Sequence, residues 1–511
     1  MYIVNLPTLI GHQTEILYVP EKQNMMITGS AGSGKSLLAL YRVFWLAKIH
    51  PDEKIVLLTF NKPVNEDMKK KLKLILNKRN EEYPQNLHIQ TYHSFIYEIL
   101  SHLIKNYSDV IEDSKKYINP KNDRLWLYHD ERNKLVSQII EDMREENPEE
   151  SSYQRPVQTF VNEIKWMQQM SIKDEEEYYD SERIGRKDTR ITRDKRKYFY
   201  TVFEKYKELR ESGENPRFYD YEDIGSLVRE ILHKIEVTKE INDVLDYKYI
   251  FIDEFQDFTT DMLKTINALC HSEGTVTLLG DINQGIYGKR VSFKSVGINM
   301  NRYEKHMLNQ NYRNSKQISE FAEILSQSAY FDKNSELYIR AKNGKREGEE
   351  PKIIEHFSQY SELDSVMEYI KEAPEEEEVL VITPPDKIGL LLYNCKKHNI
   401  RLKQVKQIND RYSTETKFFG NYNNIKGLEF DTVLMPLLSK DNFIELLNYE
   451  NNELDITAED FDIEDIENEL LEKYLAQLYV GVTRAKDKLI LSYTGELHPL
   501  LQEEELNQYI K

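Results

Sequence analysis

The hydrophobic pattern predicts an α/β protein: two parallel-sheet domains, with an α-helical insertion in the first. Three observations carry this. In the first hundred residues, apolar strand-like runs alternate with helical patterns. From about residue 98 to 215 the strand-like runs stop and long polar helical segments take over. After NQNYRNSKQI (309–318) a second alternating series begins. Alternation of this kind implies βαβ units and therefore a parallel sheet.

Taken in order, NMMITGS and KIVLLTF read as buried strands, because their apolar runs are continuous rather than alternating. SLLALYRVFWLAKIH and NEDMKKKLKLIL read as the helices that follow them. DERNKLVSQIIEDMREENPEESS and KRKYFYTVFEKYKELRESG belong to the helical insertion. YKYIFIDEF and TVTLLGD resume the first sheet. PKIIEHF, EVLVITP, IRLKQV, FDTVLMP and KDKLILSYT supply the second. The expected division is a first sheet domain built from 1–97 and 216–305, an insertion over 98–215, and a second sheet domain over 306–511.

Composition narrows the class. With 511 residues, 40% hydrophobic and 31% charged, the chain fits a soluble globular protein of several domains. Lys plus Arg total 69 against 88 Asp plus Glu, a net charge of −19, which argues weakly against non-specific polyanion binding. Cys270 and Cys395 are the only cysteines, too few for a disulfide scaffold or a zinc ribbon. No basic segment followed by a long apolar core opens the chain, and no run of about 18 apolar residues occurs in it. A cytoplasmic location without a membrane is therefore expected.

GSAGSGKS (29–36) follows an apolar run and precedes an amphipathic helix. Gly29, Ala31, Gly32, Ser33 and Gly34 would let backbone N–H groups curl round phosphates, with the helix dipole adding to the attraction. Lys35 would reach the β- and γ-phosphates and Ser36 would hold Mg²⁺. A flexible Gly/Ser turn could share the composition, but strand, loop and helix all fall where the phosphate site needs them. IFIDEFQDF (250–258) then supplies the acids: Asp253 for the Mg²⁺ shell and Glu254 as general base for the attacking water. ATP with Mg²⁺ is the expected cofactor pair.

Asp-Glu-x-Gln-Asp is more specific than an Asp-Glu pair. At this point the chain resembles the superfamily 1 helicases of the UvrD/Rep type, and further motifs of that family appear in order. Gln13 in IGHQTEIL sits where relatives read adenine. LLTFNKPVNEDM (57–68) places Phe60 and Asn61, and QTYHSF (90–95) places Tyr92 and His93, at strand-contacting positions, with core packing the alternative for Phe60, Tyr92 and His93. DYEDI (220–224) resembles the family's acidic-aromatic box. LLGDINQGIYG (278–288) makes Gln284 a γ-phosphate sensor and Tyr287 a candidate base contact, with core packing equally open for that tyrosine. LNQNYRN (308–314) and YVGVTRAKDKL (479–489) make Arg313 and Arg484 the phosphate-contacting arginines. NIKGLEFD (424–431) turns Gly427 and Glu429 toward the nucleotide. Gln256 would relay the nucleotide's state. The resemblance implies two RecA-like domains closing on ATP, 3′-to-5′ movement, and single-stranded nucleic acid as partner, DNA before RNA.

RIGRKDTRITRDKRK (183–197) carries a local charge of +6, with Arg190, Arg193 and Lys197 as its named candidates. It reads as nucleic-acid contact or as a solvated helix face. The pattern departs from the family on the strand-binding side. QGIYGKR has Lys289 and Arg290 where relatives place an aromatic and an arginine, and GNYNNIKG lacks the usual Thr and His. The distance from Arg313 to Gly427 also leaves no room for a large second insertion. Two functions follow: a compact ATP-driven translocase or helicase, or a nucleic-acid-sensing ATPase that switches a partner such as a nuclease. A P-loop kinase or transporter-type ATPase would explain the first motif and none of the later ones.

Overall fold

The computed structural model describes residues 8–21, 23–107, 126–127, 129–183, 191–212, 219–238, 247–281, 296, 303–330, 344, 346–405, 416–450, 457, 463 and 468–511. Within these, the first sheet uses β1 (Met25–Gly29), β2 (Lys54–Thr59) and β3 (Leu87–Thr91). Two short strands, β4 (Trp126–Leu127) and β5 (Tyr219–Asp220), pair with each other alone. The first sheet is completed by β6 (Tyr247–Asp253), β7 (Cys270–Gly280) and β8 (Glu304–Leu308), in the order β3-β2-β6-β7-β1-β8 with every pairing parallel. Burial on both faces explains the unbroken apolar runs: all of β1 and the last five residues of β6 are buried.

The second sheet takes β9 (Lys352–His356), β10 (Val379–Ile382), β11 (Lys403–Gln404), β12 (Lys417–Gly420), β13 (Phe430–Met435) and β14 (Ala485–Thr494). Its order is β11-β12-β10-β13-β14-β9, again all parallel. The α/β class with two parallel sheets is as expected. β3, β8, β12 and the β4–β5 pair were not anticipated. All are short, and β3 and β8 run half-buried or exposed at several positions instead of continuously apolar.

The expected domain limits shift at two places. β8 spans Glu304–Leu308 on the edge of the first sheet, so the chain crosses only after Leu308, not at 305/306. It then caps a helix at Ser315, and Ile318, Phe321 and Leu325 of that helix enter the second core. At 98 the chain lies inside the helix Tyr92–Asn106, whose Ile99, Leu100 and Leu103 still pack in the first core.

The insertion has its own core, where Phe160, Trp166, Tyr178, Phe199 and Tyr206 meet between the helices His129–Glu146, Val157–Met170 and Arg196–Glu211. A buried polar network roots it. Tyr206 donates to Asp220 at 2.7 Å, Gln168 donates to the same carboxylate at 2.6 Å, and Arg210 pairs with Asp223 at 3.0 Å. Burial pushes the Asp223 carboxyl up to about 7, against the pull of Arg210. The acids of DYEDI thus fasten the insertion.

Candidate active site

The C-terminal ends of the parallel strands share one edge, the usual place for ligands in such sheets. β1 delivers the phosphate loop there. Gly32 and Gly34 have φ of +72° and +80°, a region L side chains avoid, and a Cβ on Gly32 would meet Asn311 Oδ1 at 2.3 Å. The helix Lys35–Ile49 starts directly after Gly34. Lys35 Nζ donates to the carbonyls of Gly29 (2.7 Å) and Ser30 (3.0 Å), so its ammonium lies folded over the loop. Gln13 is buried against the same loop, donating to Ser33 O at 2.7 Å and accepting from Ile10 N at 3.0 Å.

β6 delivers the acids from the other side of β7. Ser36 Oγ donates to Asp253 Oδ2 at 2.8 Å, while the buried Asp253 Oδ1 has no hydrogen-bond partner. Burial, with Glu254 adding to it, pushes the Asp253 carboxyl up to about 7. An orphaned carboxylate oxygen beside a hydroxyl is the donor set a hard divalent cation takes, so the site fits Mg²⁺.

Glu254 sits in the left-handed region at φ 55°, at the turn out of the strand. Burial alone would raise its carboxyl, but Lys426, Lys35, the Gln256 amide and Arg484 hold it below its usual range. Gln256 donates to Glu254 and accepts from Asp281 N at 3.1 Å, bridging Glu254 to the end of β7. That is a contact route for the relay expected of Gln256.

The second domain closes the site. A cleft of about 810 Å³ is lined by Gln13, Gly34, Lys35, Ser36 and Glu254 from the first domain and by Arg313, Gly427 and Glu429 from beyond the crossover. Arg313 Nε donates to Glu429 at 3.0 Å. Arg484 is buried and donates to the carbonyls of Val480 (3.0 Å) and Leu428 (3.2 Å). Burial and, next, the Arg313 charge push its guanidinium down to about 9, with Glu254, Glu429 and Asp281 opposing. Two neighbouring guanidiniums and three carboxylates form a field that an anionic ligand would rebalance. Gly427, at φ +79°, lies so close that a Cβ would meet Val64 Cγ2 of the first domain at 2.4 Å.

Sequence reasoning missed four residues here. Lys426 pairs with Asp257 at 2.6 Å across the domains, both side chains buried. Tyr312, 42% exposed, lines the cleft with Gln13 and Ile10 and presents a ring on which a planar base could stack. Arg346 joins Asp487 and donates to the carbonyls of Lys486 (2.7 Å) and Arg313 (3.2 Å). Asn314 donates to the carbonyls of Thr483 and Ala485. Together they tie the two arginine-bearing segments to each other. The pairs are far apart in sequence, and only the Arg-Asn-Ser run at 313–315 offered a signal.

Arg346→Ala should therefore lower kcat for ATP hydrolysis about tenfold while KM changes less than about threefold, because it loosens the arginines' backbone without removing a phosphate contact. Steady-state kinetics check this, and an equal rise in KM would assign Arg346 to nucleotide binding instead.

The strand-binding candidates divide. Phe60 is half-buried at the end of β2, edge-on to Phe258 at 6.0 Å. Asn61 caps the helix Lys62–Arg79, accepting from Val64 N at 3.0 Å, so its side chain is engaged locally. Tyr92 is 1% exposed and packs in the first core, which corrects its placement as a surface contact: the apolar face of its helix takes it inward. His93 is half-buried and stacked on Tyr221. Gln284, Tyr287 and Arg190 lie outside the described residues.

Arg193 and Lys197 are exposed, but the basic run is less cationic than its sequence. Arg183 is paired with Glu163 at 2.6 Å and Lys195 with Glu150 at 2.8 Å. Arg196 is buried against the carbonyls of Tyr178, Tyr179 and Ser181. In GNYNNIKG, Asn421 caps the helix Tyr422–Ile425 and Tyr422 is buried, so these positions serve packing.

Residues 11–302 match the UvrD/REP helicase N-terminal domain, and residues 424–496 match the UvrD-like helicase C-terminal domain. The chain belongs to the UvrD/REP helicase family. Among UvrD/REP relatives, it is 25% identical over 360 residues to a probable DNA helicase II homolog of Mycoplasma capricolum, covering 68% of this chain and 45% of that protein. It is 23% identical over 350 residues to the ATP-dependent DNA helicase Rep of Buchnera aphidicola, covering 64% and 46%. Against the ATP-dependent DNA helicase PcrA of Leuconostoc citreum the identity is 22%, covering 58% and 36%. The chain thus spans under half the length of the curated relatives it matches. Among the described residues, no helix is long and apolar enough to cross a membrane.

Proposed function

We propose that this chain is an ATP-driven translocase or helicase on single-stranded nucleic acid, DNA before RNA, moving 3′ to 5′ by analogy with the family. The observation that carries the reading is the cleft itself. Phosphate loop, Ser36–Asp253 pair and Glu254 face Arg313 and Glu429 from another sheet, so a nucleotide held between them ties its hydrolysis to domain closure.

In this reading Lys35 leaves the carbonyls of Gly29 and Ser30 for the β- and γ-phosphates. Ser36 and Asp253 would hold Mg²⁺, which would supply positive charge to neutralise the phosphate oxygens. Glu254 accepts the proton of the attacking water, oriented by its bond to Gln256. Arg313 and Arg484 stabilise the charge on the transferring group. Gln13 and Tyr312 take the base.

One observation favours a second reading. The positions before Lys426 are spent on a helix cap and on core packing. A weakened strand grip suits an ATPase that senses nucleic acid and switches a protein partner such as a nuclease, unwinding little.

ATP hydrolysis measured with and without single-stranded DNA or RNA tests both. Stimulation with duplex unwinding supports the motor, and stimulation without unwinding supports the switch. No stimulation by either polymer would sink both.

A further inference from the structure

The segment that carries Glu254 is held from two directions, and the cleft accounts for only one of them. After Glu254 the chain makes a 3₁₀ turn (Phe255–Asp257) and enters the helix Thr260–Leu269, capped by the Thr259 side chain, which accepts from Met262 N at 3.3 Å. Asp257 reaches the second domain through Lys426. Four positions on, Asp261 reaches the other way. It is buried, and its Oδ1 accepts from Arg229 Nη2 and from Ser226 Oγ, each at 2.7 Å.

Arg229 stands on the helix Ile224–Thr238 and commits both terminal nitrogens to this spot. Nη1 donates to Asp261 O at 2.9 Å and to Thr265 Oγ1, so the guanidinium grips backbone and side chain of one helix turn. Nη2 also donates to Ser226 Oγ at 2.8 Å and to Ser171 Oγ at 2.7 Å. Ser171 belongs to the insertion, where it ends the helix Val157–Met170 in the left-handed region at φ 62°. Beside it, Thr260 Oγ1 donates to Met170 Sδ at 3.4 Å. Close approach makes the clasp possible, because a Cβ on Gly225 would meet Asp261 Oδ2 at 2.3 Å and Thr265 Oγ1 at 2.5 Å. One planar guanidinium thus joins two helices of the first domain to the end of an insertion helix, with the fixed geometry its fork imposes.

The place of this clasp matters more than its strength. The network at Asp220 and Asp223 already fastens the insertion. The Arg229 clasp adds a second fastening, seven positions from Glu254 along the chain. Every residue from Phe255 to Asp261 is buried, so a shift of the Glu254 turn has packed neighbours to push against and little slack to absorb it. We propose that the Arg229–Asp261 pair, clasping Ser171, links the nucleotide state of the cleft to the position of the helical insertion. The link rests on the reading of the cleft as a nucleotide site, and Arg229 acts in it as a positioning residue.

The test uses the full chain and a non-hydrolysable ATP analogue, followed by amide hydrogen exchange, and needs no nucleic acid. In the wild type the analogue should slow exchange about fivefold or more in Lys35–Ile49, in Thr260–Leu269 and in the last turn of Val157–Met170, the low end of ordinary coupling between sites. Ser171→Ala removes one hydroxyl and leaves Arg229 and Asp261 paired. It should keep the slowing in the first two helices and reduce that in Val157–Met170 to less than about twofold. Arg229→Met, which cuts every leg of the clasp, should do the same. Basal ATP hydrolysis of Ser171→Ala should stay within about twofold of the wild type, because the hydroxyl touches nothing in the cleft. An equal response of Val157–Met170 in Ser171→Ala and wild type overturns the link. So does a wild type in which Lys35–Ile49 responds and Val157–Met170 does not, or a larger loss of basal hydrolysis in Ser171→Ala, which would make Ser171 part of the site's scaffold. Absence of any slowing in Lys35–Ile49 overturns the nucleotide reading and the link together.

Discussion

Glu254→Gln should bind ATP and scarcely turn it over, with kcat reduced about 10²–10⁴-fold, the usual worth of a positioned general base. The substitution keeps shape and the left-handed backbone of position 254. A glutamine oxygen can still accept the Gln256 amide that Glu254 now accepts. What disappears is the negative charge that the base needs. That charge also opposes ionisation of Asp253, second only to burial. Removing it makes Asp253 easier to ionise and so a better ligand for Mg²⁺, which should tighten rather than loosen ATP binding. Equilibrium titration with a fluorescent ATP analogue, set beside steady-state hydrolysis, separates the two effects. Turnover within about threefold of the wild type would remove Glu254 from the role of base.

How much of this could be read in the sequence depended on distance along the chain. The phosphate loop and the Asp253–Glu254 pair were readable because each is a local pattern at the end of a continuous apolar strand. Arg313 and Arg484 needed the family resemblance, since nothing local separates them from ordinary surface arginines. The Lys426–Asp257 pair was not readable at all, because its members stand 169 positions apart and the geometry appears only when two sheets face each other. Tyr92 was misplaced for a different reason. The motif said which segment meets the strand, but the helical period turns Tyr92 inward and His93 outward. The basic run misled through counting, because Arg183 and Arg196 spend their charge on Glu163 and on backbone carbonyls. The domain limits slipped because β8 hydrogen-bonds to β1 although its sequence already leads into the second domain.

Arg313→Ala should lower kcat about 10²–10³-fold with little change in ATP affinity, the loss expected when a charge donor to the transition state goes. Its side chain is half-buried and its partner Glu429 reaches solvent, so the fold should tolerate the change. Arg484→Ala should cost a similar factor in rate and in addition lower stability. It removes a donor from the buried carbonyl of Leu428, a penalty of about 1–3 kcal/mol when nothing replaces the bond, whereas the Val480 carbonyl keeps the Thr483 hydroxyl at 3.1 Å. Thermal unfolding should therefore distinguish two variants that hydrolysis alone would not. The double variant carries the sharper argument. The two guanidiniums repel each other, Arg313 being the main neighbouring charge against Arg484. If a triphosphate draws both into one closed arrangement, losing either already prevents closure, and removing the second should add far less than its own factor. Full multiplication of the two losses would mean that the arginines act on ATP independently, and that hydrolysis does not require the second domain to close as a unit.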